Sequence, residues 1–304
     1  MKEQGYKVFE KRTYGEALIH ETAPTGKYYD KYIKDYRRKK LDTLINNVEK
    51  LEELSLAYYG YVDRNSVIKV IRRKYDGAKW DVTAGPIDEK FIKYIKENNS
   101  KLLEFFSDNG SGANLIDPGT GENIDFQHLM ASLNAICYNP PPSPGYNYSL
   151  FADLASWAGD LQQAIGDLQR YQKKYNISNN LNDLTKAAET IIAGKNSTFS
   201  INDMYADIDA YNIGIYLNNN PSKKLSEALN SYYSYDYTAR YEYFVSNYGG
   251  IKNLQEGADR YTINASGKIK IDILNDNKIS KITDNQLKAL SAAFMNFIKK
   301  EAGY

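Results

Sequence analysis

Between residues 106 and 220 the sequence places 12 acidic side chains against 5 basic ones, and ten of the twelve are aspartate. Aspartate is a poorer helix former than glutamate, so a run of it in otherwise helical sequence calls for a reason beyond solvation. Asp125 and His128 stand three apart at the start of one predicted helix and share a face. In FADLASWAGDLQQAIGDLQ, Asp153, Asp160 and Asp167 recur every seven residues, beside an apolar stripe of Leu154, Trp157, Leu161, Ile165 and Leu168. A third segment carries Asp203, Asp207 and Asp209 around the apolar positions Met204, Ile208 and Tyr211. If these helices pack together, Asp125, His128, Asp153, Asp160 and Asp207 converge, and such a group needs a cation to stay together. Oxygen-rich ligation suits calcium or magnesium, while one histidine among aspartates also admits zinc or manganese. On this reading Asp153, Asp160 and Asp207 hold the ion, and His128, Asp125 and Asp160 carry proton transfer.

Each residue also has a structural reading. Asp125 and Asp203 stand where helix N-caps are expected. Asp167 sits among Gln163 and Arg170, as on a solvated face, and His128 and Trp157 suit a core. Asp207 and Asp209 point about 200° apart on a regular helix, so at least one of them is structural. Cys137 leads into a proline run and reads as buried packing. Arg72, Arg73 and Lys74 make either a phosphate-contact corner or a solvated helix end. The 28 tyrosines, clustered at 28–36, 58–61 and 232–248, suit sugar stacking or partner contact.

The elements that must position these residues follow from periodicity. Helices are predicted over about 28–58, 63–75, 87–97 and 99–107, the third opened by Pro86 and Asp88. SDNGSGANLIDPGTGEN at 107–123 reads as a loop forming a flexible rim. Further helices follow at about 124–138, 148–175, from Ser200 past Ile215, and at 222–232, 236–248 and 283–300; no element is assigned between 176 and 199. RYTINASGKIKIDIL at 260–274 alternates like a β-hairpin, and the first twenty residues suggest short strands. The expectation is a mainly α (α+β) chain: a multi-helix core with a small antiparallel hairpin. An N-terminal helical region, 1–108, would precede an aspartate-rich core, 109–304, unless the two form one continuous domain.

Composition narrows the chemistry. The 304 residues carry 39 Lys+Arg and 38 Asp+Glu, so no polybasic field draws the chain to nucleic acid or an anionic bilayer. One cysteine and two histidines exclude four-cysteine, two-cysteine–two-histidine and three-histidine zinc sites. No P-loop, dinucleotide, serine-hydrolase or zinc-protease motif occurs. Neither a signal peptide nor an apolar run of roughly 20 residues is visible.

The stretches IDFQHL, DLASWAGDL and DMYADIDAYN resemble the aspartate-rich core of the type VII-secreted LXG-class toxin domains that degrade lipid II as phosphatases. The likeness spans about residues 117–215 and concerns the toxin portion alone, since the LXG export domain has no counterpart here. It implies a metal-assisted hydrolase that cleaves the diphosphate of a polyprenyl-linked cell-wall precursor in the cell envelope, and an immunity protein as partner. Two other functions fit the residues themselves. A glycoside hydrolase acting on peptidoglycan would need only paired carboxylates in a tyrosine-lined groove, with Glu122 a candidate acid. A helical binding module would use calcium structurally and tyrosines as the contact surface.

Overall fold

In the computed structural model, which describes residues 27–72, 87–138, 155–193, 201–247, 249–256 and 283–304, the first amphipathic run forms one unbroken helix, α1 (Lys27–Tyr59). Leu41, Leu44, Ile45, Val48 and Leu51 repeat at helical spacing and are all buried, which fixes the face α1 turns inward. α2 (Arg64–Ile71) starts at Asp63, whose side chain accepts from the Asn65 N–H. α3 (Glu89–Phe105) starts at Asp88, which accepts from the N–H groups of Lys90 and Phe91. The Tyr59 hydroxyl, donating to Asp88, and those capped N–H groups hold its carboxyl below the usual range. Asn99, at φ −158° and ψ 75°, kinks α3 between the two pieces the sequence predicts.

The segment predicted as a flexible loop is an ordered hairpin. β1 (Asn114–Ile116) pairs antiparallel with β2 (Asn123–Asp125), with Leu115 opposite Ile124 and both buried. Asp117 builds the turn: its Oδ1 accepts from the N–H of Gly119 at 2.7 Å and of Thr120 at 3.0 Å. Gly121 completes it at φ +80°, where a Cβ would also strike the Arg37 guanidinium. The hairpin predicted at 260–274 and the strands expected in the first twenty residues lie outside the described residues.

α4 (Phe126–Tyr138) follows β2 directly, and then come α5 (Ala155–Tyr175), α6 (Leu181–Ala193), α7 (Ile201–Asn219), α8 (Leu225–Tyr232), α9 (Tyr237–Asn247) and α10 (Asp284–Glu301). The sequence reading had no element where α6 lies. Yet Leu184, Ala187, Ala188, Ile191 and Ile192 are spaced as one apolar face and are buried, and α10 packs along α6. α10 opens on a capping box in which Thr283 and Gln286 bond each other's backbone. Glu52 of α1 caps α8 from a distance: its buried Oε1 accepts from the Leu225 N–H at 2.7 Å and its Oε2 from the Ser226 hydroxyl.

The fold is mainly α with a small two-stranded antiparallel sheet. Its centre is α7, which packs along α4 and also touches β2, α8 and α9. Every residue from Met204 to Gly214 is buried, so this stretch of the helix has no wet face and its polar residues are necessarily interior. Buried residues on both sides of residue 108 join one core. No helix among the described residues is long and apolar enough to cross a membrane.

Gly214 sets how closely α7 approaches α4, because a Cβ there would stand 2.5 Å from Ile136 Cγ2. Gly214→Ala therefore costs about 1–3 kcal/mol in urea denaturation, and Gly214→Ala with Ile136→Ala, which removes the clashing methyl, shows favourable coupling.

Candidate functional site

Because the stretch 204–214 of α7 is enclosed, Asp207, Asp209 and Asn212 within it each need partners from neighbouring helices. Asp207 finds them on α4. His128 and Ser132 lie one turn apart, Ser132 donates to Asp207 Oδ1 at 2.6 Å, and His128 Nε2 lies 3.0 Å from the same oxygen. All three side chains are buried, with relative exposures of 6% for His128, 5% for Ser132 and 3% for Asp207. An ionised Asp207 can only accept, so Nε2 carries the proton. Gly214 and Ile136 lie further along the same seam, and their close contact brings the two helices near enough for these bonds. Asp207 Oδ2, also buried, has no hydrogen-bond partner. A half-satisfied carboxylate in the interior is costly, so Oδ2 marks where a ligand would be stabilised.

The structure thus unites two of the residues singled out from sequence, His128 and Asp207. Asp125 is at the entry to α4 and accepts from the His128 N–H at 2.9 Å, which is the helix-capping role. Asp160 is carried by α5, which packs on α4, but its side chain is not among the described ones; the same holds for Trp157 and, on α7, for Asp203. Asp153 lies outside the described residues. Asp167 pairs with Arg170, but its side chain is only 14% exposed, so it is partly buried rather than on a solvated face. Among the described residues, no three His, Cys, Asp or Glu side chains are grouped to hold a metal ion. Arg72, the C-cap residue of α2, is fully buried rather than solvated; Arg73 and Lys74 lie outside the described residues. Cys137 is half-buried, and burial pushes its thiol up to about 11, which disfavours the thiolate at neutral pH.

Asp209 faces the other way and belongs to a second network that sequence reasoning missed. Its Oδ1 accepts from the Tyr232 hydroxyl at 2.6 Å and its Oδ2 from the Tyr233 hydroxyl at 2.7 Å. The Arg240 guanidinium lies over both tyrosine rings, 5.3 and 5.1 Å from their centroids, and its Nη2 donates to Asp117 Oδ2 at 2.6 Å. Arg240 is 2% exposed and Asp117 1%. Burial works against the guanidinium charge, but Asp209 and Asp117 outweigh it and raise its pKa. In sequence, Arg240 has Asp236 one turn before it and reads as half of a surface pair, while its actual partner is 123 residues away.

Burial pushes the Asp209 carboxyl up to about 6, against the opposing pull of Arg240. A raised acid binds its proton more tightly in the folded chain, so this group's contribution falls as pH rises from its ordinary value near 3.8 to about 6. Asp209→Asn removes that titration and keeps the side chain's shape. The stability of the wild type relative to Asp209→Asn should therefore fall across this window, by about 3 kcal/mol at most, in denaturant titrations at pH 4 and pH 7.

Comparison with known proteins adds a relationship without an activity. A family profile described as "YkzU uncharacterised protein" matches residues 130–304, which include Ser132, Asp160, Asp207, Asp209 and Arg240. "Uncharacterized protein YkzU" of Bacillus subtilis (strain 168) is 35% identical over 123 residues, 39% of this chain. The match covers 63% of that relative, less than two thirds of its length. No solved structure matches the chain.

Proposed function

The chain belongs to the YkzU family, and from that premise we propose that it is a metal-dependent hydrolase cleaving a phosphoester or diphosphate, with its site on the α4–α7 seam. The observation that carries this reading is Asp207 Oδ2, buried without a partner beside a histidine held on the other oxygen of the same carboxylate. Aspartate oxygens suit a hard divalent cation, calcium or magnesium, while the neighbouring imidazole also admits zinc or manganese. Asp207 would hold it from α7, with Asp160 of α5 and Asp153 as the further ligands the sequence offers. The cation, when bound, supplies positive charge to the phosphoryl oxygens and makes water more acidic.

The remaining work falls to the chain's own residues. Asp207 Oδ1 fixes the ring of His128 and, through Ser132, the rotation of its own carboxylate. His128 is then a positioned acid or base for the proton that hydrolysis must move. Asp125 acts one step back by capping the turn on which His128 stands. The resemblance of the three aspartate-rich stretches to lipid II phosphatase toxin domains supplies the substrate class, a lipid-linked cell-wall diphosphate. With it come an antibacterial role, an envelope location and an immunity protein as partner.

The test is release of inorganic phosphate from an undecaprenyl-linked diphosphate by the purified chain, with calcium, with magnesium and with a chelator. Phosphate release that stops on chelation supports the reading. Chelator-insensitive cleavage of glycan strands would instead favour a carboxylate-pair glycosidase, and a melting temperature raised by calcium without turnover would favour a binding module.

A further inference from the structure

We propose that the cavity enclosed by α7, α8 and α9 is a binding site for an uncharged sugar ring, separate from the His128–Asp207 seam and independent of the hydrolase reading. The cavity has a volume of about 330 Å³, within the range of small-molecule sites. Asn212, Ile213 and Tyr216 line it from α7. These positions centre about 180° around the helix from Asp207, so the two sites face opposite sides of one element.

The lining determines what the cavity can take. Tyr216, Tyr235 and Tyr243 supply its aromatic walls, and the last two are 63% and 42% exposed, an unusual state for large rings beside a cavity. Exposed tyrosines offer flat apolar faces at little conformational cost. Deeper in stand Tyr232, Arg240 and Asn212. The Asn212 Nδ2 donates to the Tyr232 hydroxyl and to the carbonyl oxygen of Arg240, both at 3.1 Å. A carbonyl can only accept, so the amide orientation is fixed and Oδ1 is left as a buried acceptor with no partner. The site therefore lacks a hydrogen-bond donor.

Charge excludes the other ring-bearing ligands. Arg240 already faces two carboxylates, Asp117 and Asp209, so the floor has no surplus positive charge to attract a phosphate or carboxylate. Arg240 lines the cavity while Asp117 and Asp209 do not, so a cation between the tyrosines would face the guanidinium and no carboxylate. What fits is a neutral molecule with an apolar ring face for the tyrosines and hydroxyl donors at its edge, which describes a pyranose.

Saturation-transfer NMR on the full chain, with methyl β-glucopyranoside and diacetylchitobiose as probes and with phenyl phosphate and tetramethylammonium as charged controls, tests this. Transfer to at least one sugar exceeding that to either control is expected. Tyr235→Ala and Tyr243→Ala, both exposed and so neutral for folding, each weaken sugar binding about fivefold. Ala239→Trp, which fills the cavity from its half-exposed wall, abolishes it, while Asp207→Asn leaves it unchanged. No transfer to either sugar, stronger binding of a charged control, or sugar binding undiminished in Tyr235→Ala, Tyr243→Ala and Ala239→Trp would overturn the proposal.

Discussion

Replacing Asp207 with asparagine should lower phosphoester hydrolysis by about a hundredfold or more while leaving thermal stability equal to or above that of the wild type. The two halves of this expectation come from the two oxygens of one side chain. Oδ1 accepts from Ser132 and from His128, and the amide oxygen of asparagine can take both bonds. Oδ2 accepts from nothing, so exchanging it for an amide group breaks no hydrogen bond and removes a buried negative charge. A residue retained only to join α4 to α7 would leave turnover normal, since asparagine keeps both bonds. Stability sacrificed for function is the signature of a binding or catalytic carboxylate. Phosphate release measured beside a melting curve separates the two, and normal turnover in a folded Asp207→Asn would remove Asp207 from the site.

His128→Gln provides an internal check on the same seam. Glutamine reaches Asp207 with an N–H donor but cannot exchange a proton near neutral pH. If His128 moves a proton, the loss appears in the maximal rate and the pH profile flattens. If it only donates to Asp207, both survive the exchange.

The sequence reveals one side of this centre and hides the other, for a physical reason. Periodicity places His128 and Asp207 on helices, His128 with a core reading and Asp207 among the apolar positions Met204, Ile208 and Tyr211, and those helices form where expected. It also separates Asp207 from Asp209 by their angle on α7, and the structure sends them into different networks. The partners of Asp209 are illegible because they are distant: Asp117 sits in a turn of a Gly-rich segment, and nothing near Arg240 indicates that it leaves the surface. β1 and β2 are three residues each, too short for an alternation to register against the surrounding Gly, Asp and Asn. α7 itself is misleading, since a helix buried on every side has no apolar stripe to reveal its orientation. α6 is a different case: its apolar spacing is plain in LNDLTKAAETIIA, and the asparagine-rich run before it conceals where it starts.

The largest stability loss is expected from Arg240→Met, about 3–5 kcal/mol at pH 7 in urea denaturation. Methionine nearly matches the arginine stem in volume, so the cavity term is small and the loss reports on charge. Without the guanidinium, Asp117 and Asp209 face each other's field in the interior with no cation between them. Asp117 has a second duty, since its other oxygen accepts the N–H groups that close the β1–β2 turn. That turn leads through β2 into the first residues of α4, so the damage should reach His128 and reduce hydrolysis as well. Asp209, whose carboxyl burial already raises to about 6, can escape by protonation, so the penalty should shrink as pH falls through this range, opposite to ordinary acid denaturation. Arg240→Lys should recover only part of the loss, because a single ammonium cannot lie flat over Tyr232 and Tyr233 while reaching Asp117. Adding Asp117→Asn and Asp209→Asn to Arg240→Met should restore most of the stability, since three neutral side chains then replace one cation and two anions. If the triple variant is no more stable than Arg240→Met, packing of the arginine stem rather than its charge holds this part of the core together.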